Sequence, residues 1–154
     1  MTDTSSRWPD LSGRLIDESR AHVLPVRVYF EDTDFSGLVY HASYVRWCER
    51  GRSDFLRLLG NEHNALMAGV ASEPAAFVVR RLTLEYLRPA RIDEVLEVTT
   101  RVLKLTAATL TLSQIVSRDG TILCEAEVTV VLVAVSGRVL RLSSALKSRL
   151  APPA

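Results

Sequence analysis

Apolar and polar positions change their period along this chain, from two to nearly four and back to two. Val26, Val28 and Phe30 alternate with Arg27, Tyr29 and Glu31, the period of a strand with one buried face. Over residues 42–59, Tyr44, Trp47, Cys48, Gly51, Phe55, Leu58 and Leu59 fall at helical spacing, which predicts a long helix. Gly60 stands where a C-cap belongs. Gly51 in mid-helix costs about 1 kcal/mol relative to Ala, and makes sense where the helix passes very close to another backbone. A connecting segment, 61–72, follows as a short helix or loop.

From there the period is two. Residues 75–87 place Leu82, Leu84 and Tyr86 on one face and end before Pro89. Residues 94–104 set Leu96, Val98 and Val102 against Glu97, Thr99 and Arg101; residues 109–117 alternate Leu110 and Leu112 with Thr109, Thr111 and Ser113. Arg118-Asp119-Gly120 is a hairpin signal. Residues 122–135 form the longest strand, continuously apolar from Val128 and so expected to be buried on both faces there. Ser136-Gly137 turns the chain, and residues 142–150 predict a terminal helix capped by Ser143. Residues 1–21 are polar and irregular, with Pro9 and Gly13. They are expected to be a flexible extension with one helical turn over 15–20, ahead of a domain spanning 22–150.

A strand, a long helix and four more strands joined by short turns make an α+β domain with an antiparallel sheet of about five strands. One helix covers one sheet face only. The apolar half of the last strand and the sheet edges ask for another cover, which makes a homo-oligomer the simplest expectation.

Composition narrows the partners. A chain of 154 residues reads as one domain with room for a core. With aromatics at 6%, Val, Leu and Ala must fill it. The net charge of +1 and the lack of a basic stripe argue against nucleic acid, while leaving room for a local basic pocket. Cys48 and Cys124 sit in apolar segments without metal-ligand spacing and read as buried thiols. No apolar run is long enough to span a bilayer as a helix and no signal peptide is seen, so a soluble cytoplasmic protein without membrane insertion is expected.

The reactive groups concentrate in residues 31–52, EDTDFSGLVYHASYVRWCERGR. An acidic cluster, a glycine turn at Gly37 and the Tyr40-His41 pair precede the long helix. Asp34 is either a solvated turn residue or a carboxylate placed to attack or to activate water. In the second reading, the free N–H groups of the helix start would hold a developing oxyanion. His41, at the helix start, is either a surface residue or a proton-exchanging imidazole that the helix dipole keeps neutral. Glu49, among Arg46, Arg50 and Arg52, reads as an ion-paired helix face. Arg80 and Arg81, followed by Arg88 and Arg91, are a solvated strand edge or a phosphate contact for an anionic carrier. GxSxG, HExxH, Walker and GxGxxG motifs are missing, which removes support for serine hydrolase, zinc protease, nucleotide triphosphatase and Rossmann readings.

The run VRVYFEDTDFSGLVYHASYVRWCERGR, with FVVRRLTLEYLRPARIDEVLEV and CEAEVTVVLV after it, closely resembles hotdog-fold acyl-CoA thioesterases. The Tol–Pal-associated and 4-hydroxybenzoyl-CoA thioesterases are the most similar groups, over roughly residues 24–135. A Tol–Pal role itself is not written in these residues. The resemblance implies a hotdog fold, an antiparallel five-stranded sheet wrapped around one long helix. It also implies a homodimer with a continuous sheet, or a homotetramer, with active sites at the dimer interface. No metal or redox cofactor is implied. The substrate implied is acyl-CoA, or an acyl group on acyl carrier protein, hydrolysed to a carboxylic acid and a free thiol.

By matching position, Asp34 would be the catalytic carboxylate, as nucleophile or general base. The backbone N–H of His41 would polarise the thioester carbonyl, and the His41 side chain would assist proton transfer. Gly37 would allow the tight loop, while Tyr40 and Tyr44, with Arg80 and Arg81, would contact substrate. Asp32 would be structural. The chain departs from those relatives at Phe35 and Ser36, where small residues are usual. A non-catalytic acyl-CoA-binding protein on the same fold is the alternative.

Overall fold

The computed structural model describes residues 13–18, 20–59 and 74–150. Two strands, β1 (Arg14–Ile16) and β2 (Ala21–Arg27), lead through a 3-10 turn, Phe30–Asp32, to the helix α1 (His41–Leu58). The strands β3 (Ala75–Tyr86), β4 (Val95–Leu105), β5 (Thr109–Arg118), β6 (Thr121–Ala134) and β7 (Val139–Leu140) follow, and α2 (Ser144–Leu150) closes the described chain. The strands form one antiparallel sheet in the order β1-β2-β4-β5-β6-β3, with β7 also on β6. Among the described residues no helix is long and apolar enough to cross a membrane.

The helix buries its apolar stripe against the sheet. Trp47, Cys48 and Phe55 are buried with Leu96, Val98, Leu110, Leu112, Val116 and Val128 in one core. Gly51 faces the sheet. A Cβ there would stand 3.1 Å from each of Gln114 Nε2, Thr100 Oγ1 and Val98 Cγ1, so the missing side chain makes room for three side chains of the sheet, where the sequence led one to expect another backbone. A polar knot sits beside it. The Gln114 amide donates to the Cys48 carbonyl at 2.8 Å and to Thr100 Oγ1 at 2.9 Å, and accepts from Arg52 Nη1 at 2.9 Å.

The hairpin signal at Arg118-Asp119-Gly120 has a direct physical form. Asp119 and Gly120 take φ of 48° and 81°, the pair of positive angles that a two-residue turn between twisted strands needs. Ser143 caps α2 through its side-chain oxygen, which accepts the Leu146 N–H at 3.1 Å. The second half of β6 buries Val128, Val130 and Leu132 on one face and Val131 on the other.

Four expectations from the pattern need correction. The first strand ends at Arg27, and Phe30 is 82% exposed, because the Asp32 carboxylate takes the Tyr29 N–H at 2.8 Å and curls the chain into the 3-10 turn. The sheet has seven strands rather than five, the additions being the short β1 and β7. The helical turn expected over 15–20 is instead β1 with a turn at Asp17 and Glu18, both at positive φ, because β1 finds a partner in β2. Arg101, on β4, pairs with Asp17 across that turn. The helix, fourthly, starts one residue earlier than the period indicated, at His41; Gly60 and residues 61–72 lie outside the described residues, as do residues 1–12.

Asp54, on α1, clasps the start of β1. Its Oδ2 accepts the Gly13 N–H at 2.8 Å and lies 2.6 Å from Nε2 of the fully buried His22. Burial alone would raise the Asp54 pKa, but hydrogen bonds from Arg57, His22 and Gly13 outweigh it and hold the carboxyl below its ordinary value. A depressed carboxylate contributes stability that is complete above the unfolded value and is lost as pH falls through the folded one. Asp54→Ala is therefore expected to destabilise by about 1–2 kcal/mol at neutral pH, with the gap to wild type narrowing in acid; urea unfolding at the two pH values measures it.

Candidate active site

The loop between the 3-10 turn and α1 is tied back on itself. Asp34 donates its N–H to the Leu38 carbonyl at 3.0 Å, and its own carbonyl takes the Gly37 N–H at 3.1 Å. Gly37 closes this turn at φ 83°, with open space where a side chain would stand. Thr33 bridges Val39, and Leu38 bridges Arg91, so the loop is pinned on both sides. Asp32, for which the resemblance implied a structural role, is buried and hydrogen-bonded within this loop. Besides capping Tyr29 through its side chain, its carbonyl accepts the Tyr40 N–H at 2.8 Å and the Ser43 hydroxyl at 3.1 Å.

The result is a fixed helix start. Tyr40 is the N-cap and contributes no side-chain hydrogen bond, and the first turn of α1 carries no acidic residue. The partial positive charge of that end is therefore not answered by a side chain of its own. Asp34 stands in the loop just ahead, exposed. Its Oδ1 accepts the Ser36 N–H at 2.8 Å and the Ser36 hydroxyl. The Ser36 hydroxyl, then the Ser36 N–H, and to a lesser degree His41 hold the Asp34 carboxyl below its ordinary value, so it is ionised at neutral pH.

Beside this helix start lies a cavity of about 310 Å³ lined by Leu38, Val39, His41, Tyr44, Tyr86, Leu87, Arg88 and Pro89. Three rings form its aromatic side. The Tyr86 ring lies 6.5 Å edge-on to His41 and 5.5 Å edge-on to Tyr44. The Tyr86 hydroxyl donates to the His41 carbonyl at 2.9 Å, and Tyr44 Oη accepts the Ala90 N–H at 3.1 Å. Burial raises the pKa of both phenols, so both remain neutral hydrogen-bonding groups. Tyr40 packs on the His41 ring at 4.5 Å from outside the cavity.

The structure thus brings Asp34, Gly37, Tyr40, His41 and Tyr44 into one neighbourhood. Arg80 and Arg81 are exposed on β3 and do not line the cavity; a bulge between Val79 and Arg81 interrupts their pairing with β6. Arg88, from the same basic cluster, does line it. Tyr86 is a polar lining residue to which the sequence assigned no functional role, whereas Arg88 was expected only as part of the basic cluster. Tyr86 carried only an alternation signal, and its contact with His41 spans 45 residues of chain.

The two thiols offer no rival nucleophile. Burial pushes Cys48 up to about 11 and Cys124 up to about 12, so neither forms the reactive thiolate at neutral pH. Among the described residues no three His, Cys, Asp or Glu side chains group as a metal site.

Comparison with known proteins identifies the family and the fold. Residues 28–152 match the Thioesterase-like superfamily. The chain is 50% identical over 110 residues to the acyl-CoA thioester hydrolase YbgC of Escherichia coli, covering 71% of this chain and 79% of that protein. It is 40% identical over 106 residues to the acyl-CoA thioesterase YbgC of Haemophilus influenzae, covering 69% and 76%. Among solved structures, a probable thioesterase from Bartonella henselae superposes with a TM-score of 0.78 at 41% identity, over 80% of this chain and 99% of that one. A 4-hydroxybenzoyl-CoA thioesterase variant bound to 4-hydroxybenzoyl-CoA shares the fold, with a TM-score of 0.79 at 15% identity over 86% and 99%. The wrapped helix, the loop ahead of it and these relatives together make the chain a member of the Thioesterase-like superfamily, a thioester hydrolase on the hotdog fold.

Proposed function

We propose that this thioesterase hydrolyses acyl-CoA thioesters, with Asp34 as the catalytic carboxylate and the start of α1 as the oxyanion site. The observation that carries the assignment is the placement of an ionised carboxylate just ahead of a helix end that its N-cap side chain leaves open, beside an aromatic-walled cavity. The thioester carbonyl would point at the N–H groups of His41 and its neighbour, where the helix dipole favours negative charge. Asp34 then acts in one of two ways. As nucleophile it adds to the carbonyl carbon, the carbon–sulfur bond breaks, the thiolate leaves, and water hydrolyses the mixed anhydride. As general base it takes a proton from the water that attacks. In both routes the His41 imidazole stands where a proton is delivered to the leaving sulfur. Tyr44 and Tyr86 would wall the acyl group, and Gly37 keeps the loop backbone tight against it.

Coenzyme A is the carrier we favour, because its phosphates answer Arg88 at the cavity and Arg80 and Arg81 on β3. Thiol release from short, long and aromatic acyl-CoAs tests the reading, with the same acyl groups on acyl carrier protein as the second arm. Turnover of at least one acyl-CoA is expected. Turnover of the carrier-protein substrates alone would replace CoA as the carrier.

A dimer is part of the same proposal. The edge of β3 opposite β6 has no strand beside it among the described residues, and Val78 and Val79 are half-exposed there. An open strand edge of this length asks for a partner, and a second copy paired strand to strand continues the sheet; a tetramer pairs two such dimers. Val78→Glu would set like charges close together across that seam and is expected to weaken the dimer at least about tenfold, read as a shift to monomer in sedimentation velocity. Two buried free thiols accord with a reducing compartment such as the cytoplasm.

A further inference from the structure

Ser36 is a position that the reaction as described leaves without a role, and its hydroxyl is oriented. Its Oγ accepts the Leu38 N–H at 3.3 Å, which turns its own proton toward the Asp34 carboxylate, where it donates to Oδ1. The Ser36 N–H reaches the same oxygen at 2.8 Å. Both Ser36 hydrogen bonds to the Asp34 side chain therefore fall on Oδ1, and neither falls on Oδ2. An oxygen that holds two charge-assisted hydrogen bonds is a poorer nucleophile and base than its free twin.

We infer that Ser36 is a positioning residue that holds the Asp34 carboxylate through Oδ1 and so selects Oδ2 as the reacting oxygen. The inference rests on Asp34 being the catalytic carboxylate. The loop supplies the geometry for it. Gly37 at φ 83° and the Asp34–Leu38 backbone bond shape the turn in which Ser36 meets the Asp34 carboxylate. Beside Ser36, His41 is the one side chain described as acting on Asp34, and two arginines lie on neighbouring segments. His41, at the head of α1, favours the charged carboxylate, as the Ser36 bonds do. Arg91 lies on the segment bridging Leu38, with its N–H on Glu94 Oε1 at 2.5 Å, and Arg46 of α1 reaches toward Asp32 at 4.0 Å. Ser36→Ala leaves all of these in place and removes the hydroxyl alone.

The sign follows from the charge. A carboxylate acts only when ionised, and hydrogen bonds to the ionised form keep it so at lower pH. Without the hydroxyl, the acid limb of kcat/KM moves to higher pH. The plateau falls about tenfold, since the carboxylate loses one charge-assisted bond and its fixed rotamer. Ser36→Thr, which keeps a hydroxyl, restores both.

The experiment is the pH profile of acyl-CoA hydrolysis by the full chain as wild type, Ser36→Ala, Ser36→Thr and Asp34→Asn. It is read together with an NMR titration of the Asp34 carboxyl carbon in wild type and Ser36→Ala. An acid limb and a carboxyl titration that both move up in Ser36→Ala, and return in Ser36→Thr, are expected. If Asp34→Asn is inactive while the Ser36→Ala profile and titration superimpose on wild type, Ser36 has no such role and the Asp34 assignment stands. If Asp34→Asn keeps full turnover, the Asp34 assignment fails and the role of Ser36 falls with it. The NMR titration reads the Ser36–Asp34 bond whether or not any substrate in hand is turned over.

Discussion

Asp34→Asn is expected to lower kcat for acyl-CoA hydrolysis by about a thousandfold while the fold and oligomer stay as they are. The two halves of that expectation come from different observations. The loss follows from chemistry: an amide neither adds to a thioester carbonyl nor takes a proton from water, yet it occupies nearly the same space. The tolerance of the fold follows from exposure. Asp34 lies on the surface of the loop, and the backbone bonds to Leu38 and Gly37 that shape this loop do not involve its side chain. KM is expected to change little, since the carboxylate acts on the transition state rather than on the bound thioester. A comparable fall in thermal stability would instead mean that the carboxylate was structural.

The largest effect on stability is expected from Gln114→Leu, about 3 kcal/mol, or a fall in Tm of about 6–12 °C. Leucine fills a similar volume, so packing is not the main loss. Gln114 is fully buried and satisfies three groups at once: the Cys48 carbonyl, Thr100 Oγ1 and the Arg52 guanidinium. Arg52 is only 9% exposed, and Gln114 is its one described hydrogen-bond partner. Burial already lowers the Arg52 pKa from its ordinary value. With leucine at 114, a buried cation loses its described partner, and the Cys48 carbonyl and the Thr100 hydroxyl each lose a hydrogen bond, at the contact where Gly51 faces the sheet. Thermal unfolding of Gln114→Leu beside the double variant Arg52→Met/Gln114→Leu separates the causes. The double variant is expected to recover part of the loss, because it removes the unpartnered charge. A Gln114→Leu protein within about 0.5 kcal/mol of wild type would show that Arg52 finds water or another partner.

Much of this was legible in the order of residues. The helix is marked by an apolar stripe strong enough to locate it within a residue at each end, and Gly51 within the stripe announces the close contact with the sheet. The strands are legible because each has one buried face, and Asp119-Gly120 marks its own turn. The misreadings have local causes. Phe30 continues an alternation that looks like strand, but one side-chain cap from Asp32 to Tyr29 turns it outward. β1 is three residues long and β7 two, too short to carry a period; each exists because a longer neighbour offers it an edge.

The site divides along the same line. Asp34, Gly37, Tyr40, His41 and Tyr44 lie within eleven residues of one another, so a loop followed by a helix start brings them together almost without tertiary information. Tyr86 and Arg88 reach the cavity from the far end of β3. That placement depends on how the strand crosses the helix, which no local pattern encodes. Arg80 and Arg81 failed to reach the cavity for the same reason: their strand carries them to its exposed edge.

The measurement that tests the account most directly is thiol release by wild type and Asp34→Asn, side by side on the acyl-CoA that wild type hydrolyses fastest, with sedimentation velocity and thermal unfolding of the same preparations as controls. Rapid release by wild type and about a thousandfold less by an equally folded variant is the predicted result. Equal release by the two proteins would contradict it and remove Asp34 from the chemistry.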